Sequence, residues 1–204
     1  MSTANLNVGN PAITNIPQPQ NANYAYGVWI YVNNLNSTGN VIFSRANNIV
    51  LYLDKNSPTL YCDIQTKDAS KTTATMITNN FPVQKWCYII VSVDGQFIDY
   101  YINGKLVKSE KKVDAIAIPH DATAAPINLG NSGSPAPKQY GTISAGAFDA
   151  YLSKFQRWTN PIDPQTAWTS YLAGNGQSTF SLSQYNANVT ILKNQVQQSQ
   201  YSLF

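Results

Sequence analysis

The chain has 204 residues, and 11% of them are charged while 12% are aromatic, including 13 Tyr and 4 Trp. Its 13 basic against 10 acidic residues give a net charge of +3, and only two of the basic residues are Arg, a balance that does not call for nucleic acid. The length suits one all-β domain with a sizeable core, and its longest apolar run, Cys87 to Val93, is far too short to cross a bilayer.

Residues 1–22, "MSTANLNVGNPAITNIPQPQNA", contain three prolines and scattered apolar points at Val8, Ala12, Ile13 and Ile16. Proline excludes a helix here, so an extended arm or irregular edge strand is expected, ordered only against a partner surface. From Tyr24 the pattern alternates as in a strand. Tyr24, Tyr26, Val28, Ile30 and Val32 share one phase and Trp29 and Tyr31 the other. "VIFSR", "NNIVLYLD" and "TLYCDIQ" follow as short strands, separated by turn sequences such as "KNSPT".

"WCYIIVSVDGQFIDYYINGKLVKS", residues 86–109, reads as a three-strand meander with type I′ turns at Asp94-Gly95 and Asn103-Gly104. In its middle strand Ile98, Tyr100 and Ile102 face one side, and Phe97, Asp99 and Tyr101 the other. "PINLG" is a further short strand and "GNSGSPAPKQYG" a surface loop. "GAFDAYLSKFQRWTN" reads as a regular strand with Tyr151, Ser153, Phe155 and Arg157 on one face. One helix is predicted, capped by Asp163, with Pro164 in its first turn, an apolar face of Trp168, Tyr171 and Leu172, and a stop at Gly174. Residues 181–204 contain a C-terminal β-hairpin turning near Asn194, packed on or extending the sandwich.

Chemistry-bearing residues are sparse. The chain has one Glu, Glu110, and one His, His120. Asp99 would need a second carboxylate for general acid and base work, and His120 beside Asp121 lacks any nucleophile elbow, so both read as ordinary strand and loop residues. Asp54, Asp63, Asp68, Asp94, Asp114 and Asp121 are scattered, with no dense run of oxygen ligands for calcium. Cys62 and Cys87 lie in phase with apolar neighbours of two strands and read as buried reduced thiols in preference to a disulfide. Lys105, Lys108, Lys111 and Lys112, interrupted by Glu110, read as a solvated edge that discourages strand pairing. Asn36-Ser37-Thr38 and Asn188-Val189-Thr190 fit the glycosylation acceptor pattern, but without an export signal they are taken as loop and strand sequence. No catalytic, cofactor or metal residue is assigned.

"YGVWIYVNN" with "VIFSR", then "FPVQKWCYIIVSVDGQFIDYYINGKLVKS", then "FDAYLSKFQRWTNPIDPQTAWTSYLAGNG" together resemble the concanavalin A-like lectin/glucanase superfamily in its laminin-G-like form, over roughly residues 24–176. The resemblance implies an antiparallel two-sheet jelly-roll sandwich over residues 23–180, with one short helix. Glucanases of this superfamily use a glutamate pair around an Asp, which a chain with a single Glu does not contain, so no enzyme is expected. "FPVQKW", "SKFQRW", "DPQTAW" and "NVTILKNQVQQSQYSL" are similar to laminin-G-like proteins of large icosahedral DNA viruses, particularly those of algae, among them minor capsid proteins. That narrower resemblance implies a structural subunit in the virion, assembled in the host cytoplasm, with the major capsid protein and other minor capsid proteins as partners. The alternative is a carbohydrate-binding lectin-like module, since aromatic platforms beside Asn and Gln side chains suit sugar rings.

Overall fold

The computed structural model describes residues 3–16, 21–37, 39–118, 125–131, 148–176, 188–193 and 196–202. It is an all-β sandwich of two antiparallel sheets with one short helix. The six-stranded sheet runs in the order β1 (Ala4–Asn5), β11 (Ala150–Trp158), β2 (Asn23–Val32), β7 (Trp86–Asp94), β8 (Phe97–Ile102), β9 (Lys105–Lys111). The five-stranded sheet runs β10 (Ile127–Leu129), β3 (Asn40–Arg45), β4 (Ile49–Leu53), β5 (Leu60–Ile64), β6 (Ala74–Thr78). A separate hairpin pairs β12 (Asn188–Lys193) with β13 (Val196–Ser202), and Asn194, where its turn is expected, lies outside the described residues.

Alternation decides what the two sheets bury between them. Tyr24, Tyr26, Val28, Ile30 and Val32 of β2 all enter the main core, against Cys87, Ile89, Val91 and Val93 of β7 and Ile49, Leu51 and Leu53 of β4. Cys62 and Cys87 are both buried in it as free thiols, and burial pushes both thiol pKa values up.

The meander forms as β7, β8 and β9, but its turns differ from each other. At Asn103-Gly104 both central residues have positive φ, +51° and +75°, as a type I′ turn requires. At the first reversal Asp94 pairs with Phe97, so the central residues are Gly95 and Gln96, and only Gly95 has positive φ. That pattern, left-handed at the first central position alone, belongs to a II′ turn, and Asp94 completes the strand instead of opening the turn.

Two further expectations are corrected. Strand β11 is interrupted by a bulge between Ser153 and Gln156, where Lys154 adopts φ +46°. The extra residue flips the phase, so Leu152 before it and Phe155 after it both contact the core. The arm also finds its surface within the chain: β1 pairs with β11, Leu6 and Ile16 are buried, and Ile13 forms a bridge with Ile127 of β10. It therefore crosses from the edge of one sheet to the edge of the other.

On the opposite side the lysine cluster divides. Lys105 and Lys111 are exposed, whereas Lys112 is only 6% exposed and Lys108 donates to the Met76 carbonyl of β6 at 2.7 Å. Lys112 Nζ donates to Thr75 Oγ1 at 2.7 Å and pairs with Glu110 at 3.0 Å, so part of the expected solvated edge is a polar seam joining β6 to β9.

Candidate functional site: the outer face of the six-stranded sheet

The second phase of β2 points away from the core and carries the aromatics on which a site can be built. Trp29 lies opposite Tyr88 of β7 and Ser153 of β11. Two residues on, Tyr31 lies opposite Trp86 of β7 and Tyr151 of β11. With strands about 4.8 Å apart, Tyr151, Tyr31 and Trp86 make one row roughly 10 Å wide across three neighbouring strands.

Half of this face is covered. Helix α1 (Pro164–Leu172) lies over Trp29, Tyr88, Ile90 and Tyr101, inserting Ala167 and Tyr171. Asp163 caps the helix by accepting from Thr166 N at 2.7 Å, which also holds the Asp163 carboxyl below its usual range. Ala167 is the buried helix position, and Tyr171, one turn on, is partly buried against the same cluster. Of the apolar face expected from spacing, Tyr171 packs into this cluster, whereas Trp168, which lies against Gly104, stays 39% exposed and Leu172 64% exposed. Trp29 is stacked on Tyr88 at 5.1 Å and on Tyr171 at 5.5 Å.

The other half is open. Tyr31 and Trp86 are half-buried with rings 5.7 Å apart and tilted by 60°, and Tyr151 is 37% exposed. With Thr3 these three side chains line a shallow cavity of about 370 Å³. Beside it, between the β11 bulge and the end of α1, a deeper cleft of about 480 Å³ has polar walls from Lys154, Gln156, Thr169 and Ser170. Tyr88 donates to Gln156 Oε1 at 3.3 Å, and burial pushes the Tyr88 hydroxyl up to about 12, so it keeps its proton at neutral pH. Lys154 Nζ donates to the Ala173 carbonyl at 2.9 Å and ties the bulge to the helix end.

The residues singled out from sequence mostly serve the scaffold. Asp99 lies opposite Ser92 and Ser109, not opposite a carboxylate. Glu110 accepts from Thr75 and Tyr100, each at 2.7 Å. Asp54 accepts from Lys55 N and Ser57 Oγ within its turn, Asp63 accepts from Tyr52, and Asp68 caps the short 3-10 helix Ala69–Lys71. Asp114 accepts from Asp68 N at 2.8 Å, and Asp94 is exposed at its strand end. No group of three His, Cys, Asp or Glu among the described residues could hold a metal ion. No helix among them is long and apolar enough to cross a membrane. His120, Asp121 and Thr38 lie outside the described residues.

The aromatic row itself was not assigned from sequence. Its signal was present in the outward phase of the first long strand, but strand register was needed to bring Tyr151 and Trp86 beside Tyr31.

The sandwich order and the helix packed on one sheet agree with a sequence match over residues 8–167 to the laminin-G-like family of the concanavalin A-like lectin/glucanases superfamily. The chain belongs to this superfamily. Solved structures share its fold at low identity. A heptameric SAP-like pentraxin from Limulus polyphemus superposes with a TM-score of 0.55 at 15% identity, covering 83% of this chain and 80% of the pentraxin. The binding domain of Paraclostridial Mosquitocidal Protein 1 superposes at 0.56 and 11% identity over 74% of this chain and 37% of that one. A Bacteroides ovatus protein provisionally named for carbohydrate binding gives 0.55 and 13%, over 82% and 46%. The concanavalin A-like chain thus spans less than half the length of the last two, and at these identities the likeness establishes the fold. A sequence search among curated proteins gives no match.

Proposed function

We propose that the chain is a carbohydrate-binding module without catalytic activity, and that its glycan lies along Tyr151, Tyr31 and Trp86. The observation that carries this reading is the cross-strand row of half-exposed rings beside an open cavity. A sugar ring places its apolar face on an aromatic plane and hydrogen-bonds around its rim, and the neighbouring cleft supplies amide and hydroxyl groups for such a rim. The superfamily's association with lectins supports the reading at the level of fold. A single Glu, already engaged by Thr75 and Tyr100, supports binding in preference to glycoside hydrolysis. The test is a glycan array on the monodisperse protein followed by calorimetry on the best ligand. Binding that disappears in Tyr31→Ala and Trp86→Ala variants with intact folds is expected, and a panel with no ligand at all removes the proposal.

The second reading is a structural subunit of a large DNA virus particle, located in the virion and docked on capsid proteins. It is favoured by the hairpin β12–β13, whose strands pair with each other and with no other described strand, leaving hydrogen-bonding edges for a neighbour. The N-terminal arm contributes less to this reading than its sequence suggested, because residues 4–6 and 13 already bond to the chain's own sheets. Co-purification with intact particles, and density for the chain within them, would be the corresponding test.

A further inference from the structure

Arg45 and Arg157 are the only arginines of the chain. The fold brings both to one end of the space between the sheets. Phe43 of β3 and Phe155 of β11 meet edge-on inside the sandwich at 5.1 Å. Arg45 and Arg157 each follow two residues later on the same strand faces, since β3 is regular beyond Phe43 and β11 is regular beyond its bulge. Tyr26 connects them: Arg157 is its cross-strand partner, and Arg45 Nη1 donates to its hydroxyl at 3.2 Å.

Arg45 is 0% exposed, and its Nε donates to the Ala125 carbonyl at 3.0 Å. Its Nη2 is buried without a hydrogen-bond partner, and so is Nε of Arg157. Neither guanidinium pairs with a carboxylate among the described residues. Buried charges are ordinarily paired, because desolvation of an isolated ion is expensive. A lysine could escape by shedding its proton; a guanidinium keeps its charge in proteins. The surrounding groups cannot neutralise it. Tyr26 donates to Asn48 Oδ1 at 3.1 Å, and Asn48 Nδ2 donates to Tyr24 at 2.7 Å, so the cluster holds only neutral groups.

We propose that Arg45 and Arg157 together bind a small oxyanion, a carboxylate, sulfate or phosphate group. One of its oxygens accepts from Arg45 Nη2 and another from Arg157 Nε. Two acceptor atoms on one group can each take one of two separated donors, whereas a halide would have to lie within reach of both. Arg157 is the more exposed of the two. The site lies on the inward face of β2 and is independent of the aromatic row on its outward face.

The experiment is thermal unfolding of the full chain in sulfate, phosphate and acetate, against sodium chloride at equal ionic strength. Sulfate stabilises many proteins by exclusion from their surface, but that effect does not saturate and is indifferent to one arginine. A saturating rise in Tm is expected, with binding of radiolabelled sulfate at one per chain by equilibrium dialysis. Arg157→Met should weaken sulfate binding at least tenfold while leaving Tm in chloride near its original value, and Arg157→Lys should restore part of it. Glucuronic acid and a sulfated monosaccharide, run beside their neutral parent sugars, determine the source: binding of the acidic sugars places the oxyanion on a glycan, and binding of inorganic ions alone makes it a free ion. Unfolding that depends on ionic strength alone, or dialysis showing no bound sulfate on the unmodified chain, overturns the proposal. So does an Arg157→Met variant that folds and retains the response.

Discussion

Lys112 Nζ and Glu110 Oε1 lie 3.0 Å apart at the end of the edge strand β9, and Thr75 of the facing sheet bonds to both. The pair therefore closes one side of the sandwich. Burial disfavours the Glu110 carboxylate, but hydrogen bonds from Thr75, Tyr100 and Lys112 outweigh it and lower the pKa. A carboxyl whose pKa is lower folded than unfolded contributes stability above the ordinary carboxylate range and loses it as pH falls through the folded value. Urea midpoints measured downward from pH 7 should fall along an acid limb that Glu110→Gln flattens. Lys112→Met, which leaves the carboxylate short of one partner, should destabilise by about 2 kcal/mol at neutral pH.

The aromatic row predicts a binding loss separable from stability. Trp86→Ala and Tyr31→Ala each remove a half-exposed ring from the open cavity, so sugar affinity should fall roughly tenfold or more, about 1.5 kcal/mol. Isothermal titration measures the loss, and an unchanged far-ultraviolet spectrum separates it from unfolding. Tyr171→Ala is the contrasting variant. Its ring is stacked on Trp29 beneath the helix, so it should cost stability first.

The second meander turn is a mechanical junction between sheet and helix. Asn103 Oδ1 accepts from Tyr88 N at 2.9 Å, and Asn103 N donates to the Tyr88 carbonyl at 2.8 Å. Asn103→Gly keeps the left-handed conformation but loses the side-chain bond, so a cost of about 1 kcal/mol is expected; Asn103→Ala adds backbone strain and should cost about 2 kcal/mol. At Gly104 a Cβ would sit 2.9 Å from Trp168 Cε3 and 3.1 Å from Trp168 Cα. Gly104→Ala should therefore loosen α1, visible as reduced near-ultraviolet dichroism along with a stability loss of roughly 2 kcal/mol.

Leu6 tests the docked arm. It is 3% exposed, and its N–H donates to the Ala150 carbonyl at 2.9 Å. Leu6→Ala should cost about 2 to 4 kcal/mol in chemical denaturation, the range for a buried leucine. A change near zero would mean that the arm detaches in solution.

The parts of the fold that sequence conveyed are those where one periodicity governs a whole segment. In β2 the inward phase, Tyr24 to Val32, reads off directly, and the Asn-Gly pair marks a turn whose φ values demand it. The misread places are those where a single residue resets the count. Lys154 at φ +46° moves Phe155 into the core although its spacing from Leu152 is odd, and no residue type at the bulge announces it. Likewise Asp-Gly looks like the centre of a turn, but cross-strand pairing to Phe97 shifts that centre to Gly95-Gln96. The helix face depended on what lies beneath it, the stacked rings of Trp29 and Tyr88, on which Ala167 and Tyr171 pack. The candidate site was illegible for a related reason: Tyr151 and Trp86 are separated by 65 positions, and only register makes them neighbours of Tyr31.

Thr3 stands at the rim of the open aromatic cavity, one residue before β1 fastens to β11. Anything fused immediately before it is delivered to the doorway of the uncovered half of the sheet, where it can obstruct a ligand. Immobilisation through a tether placed beside Thr3 would consequently mask the surface that a binding assay is meant to interrogate, whereas tethering through the exposed Lys105 and Lys111 of the far edge strand would leave it facing the analyte.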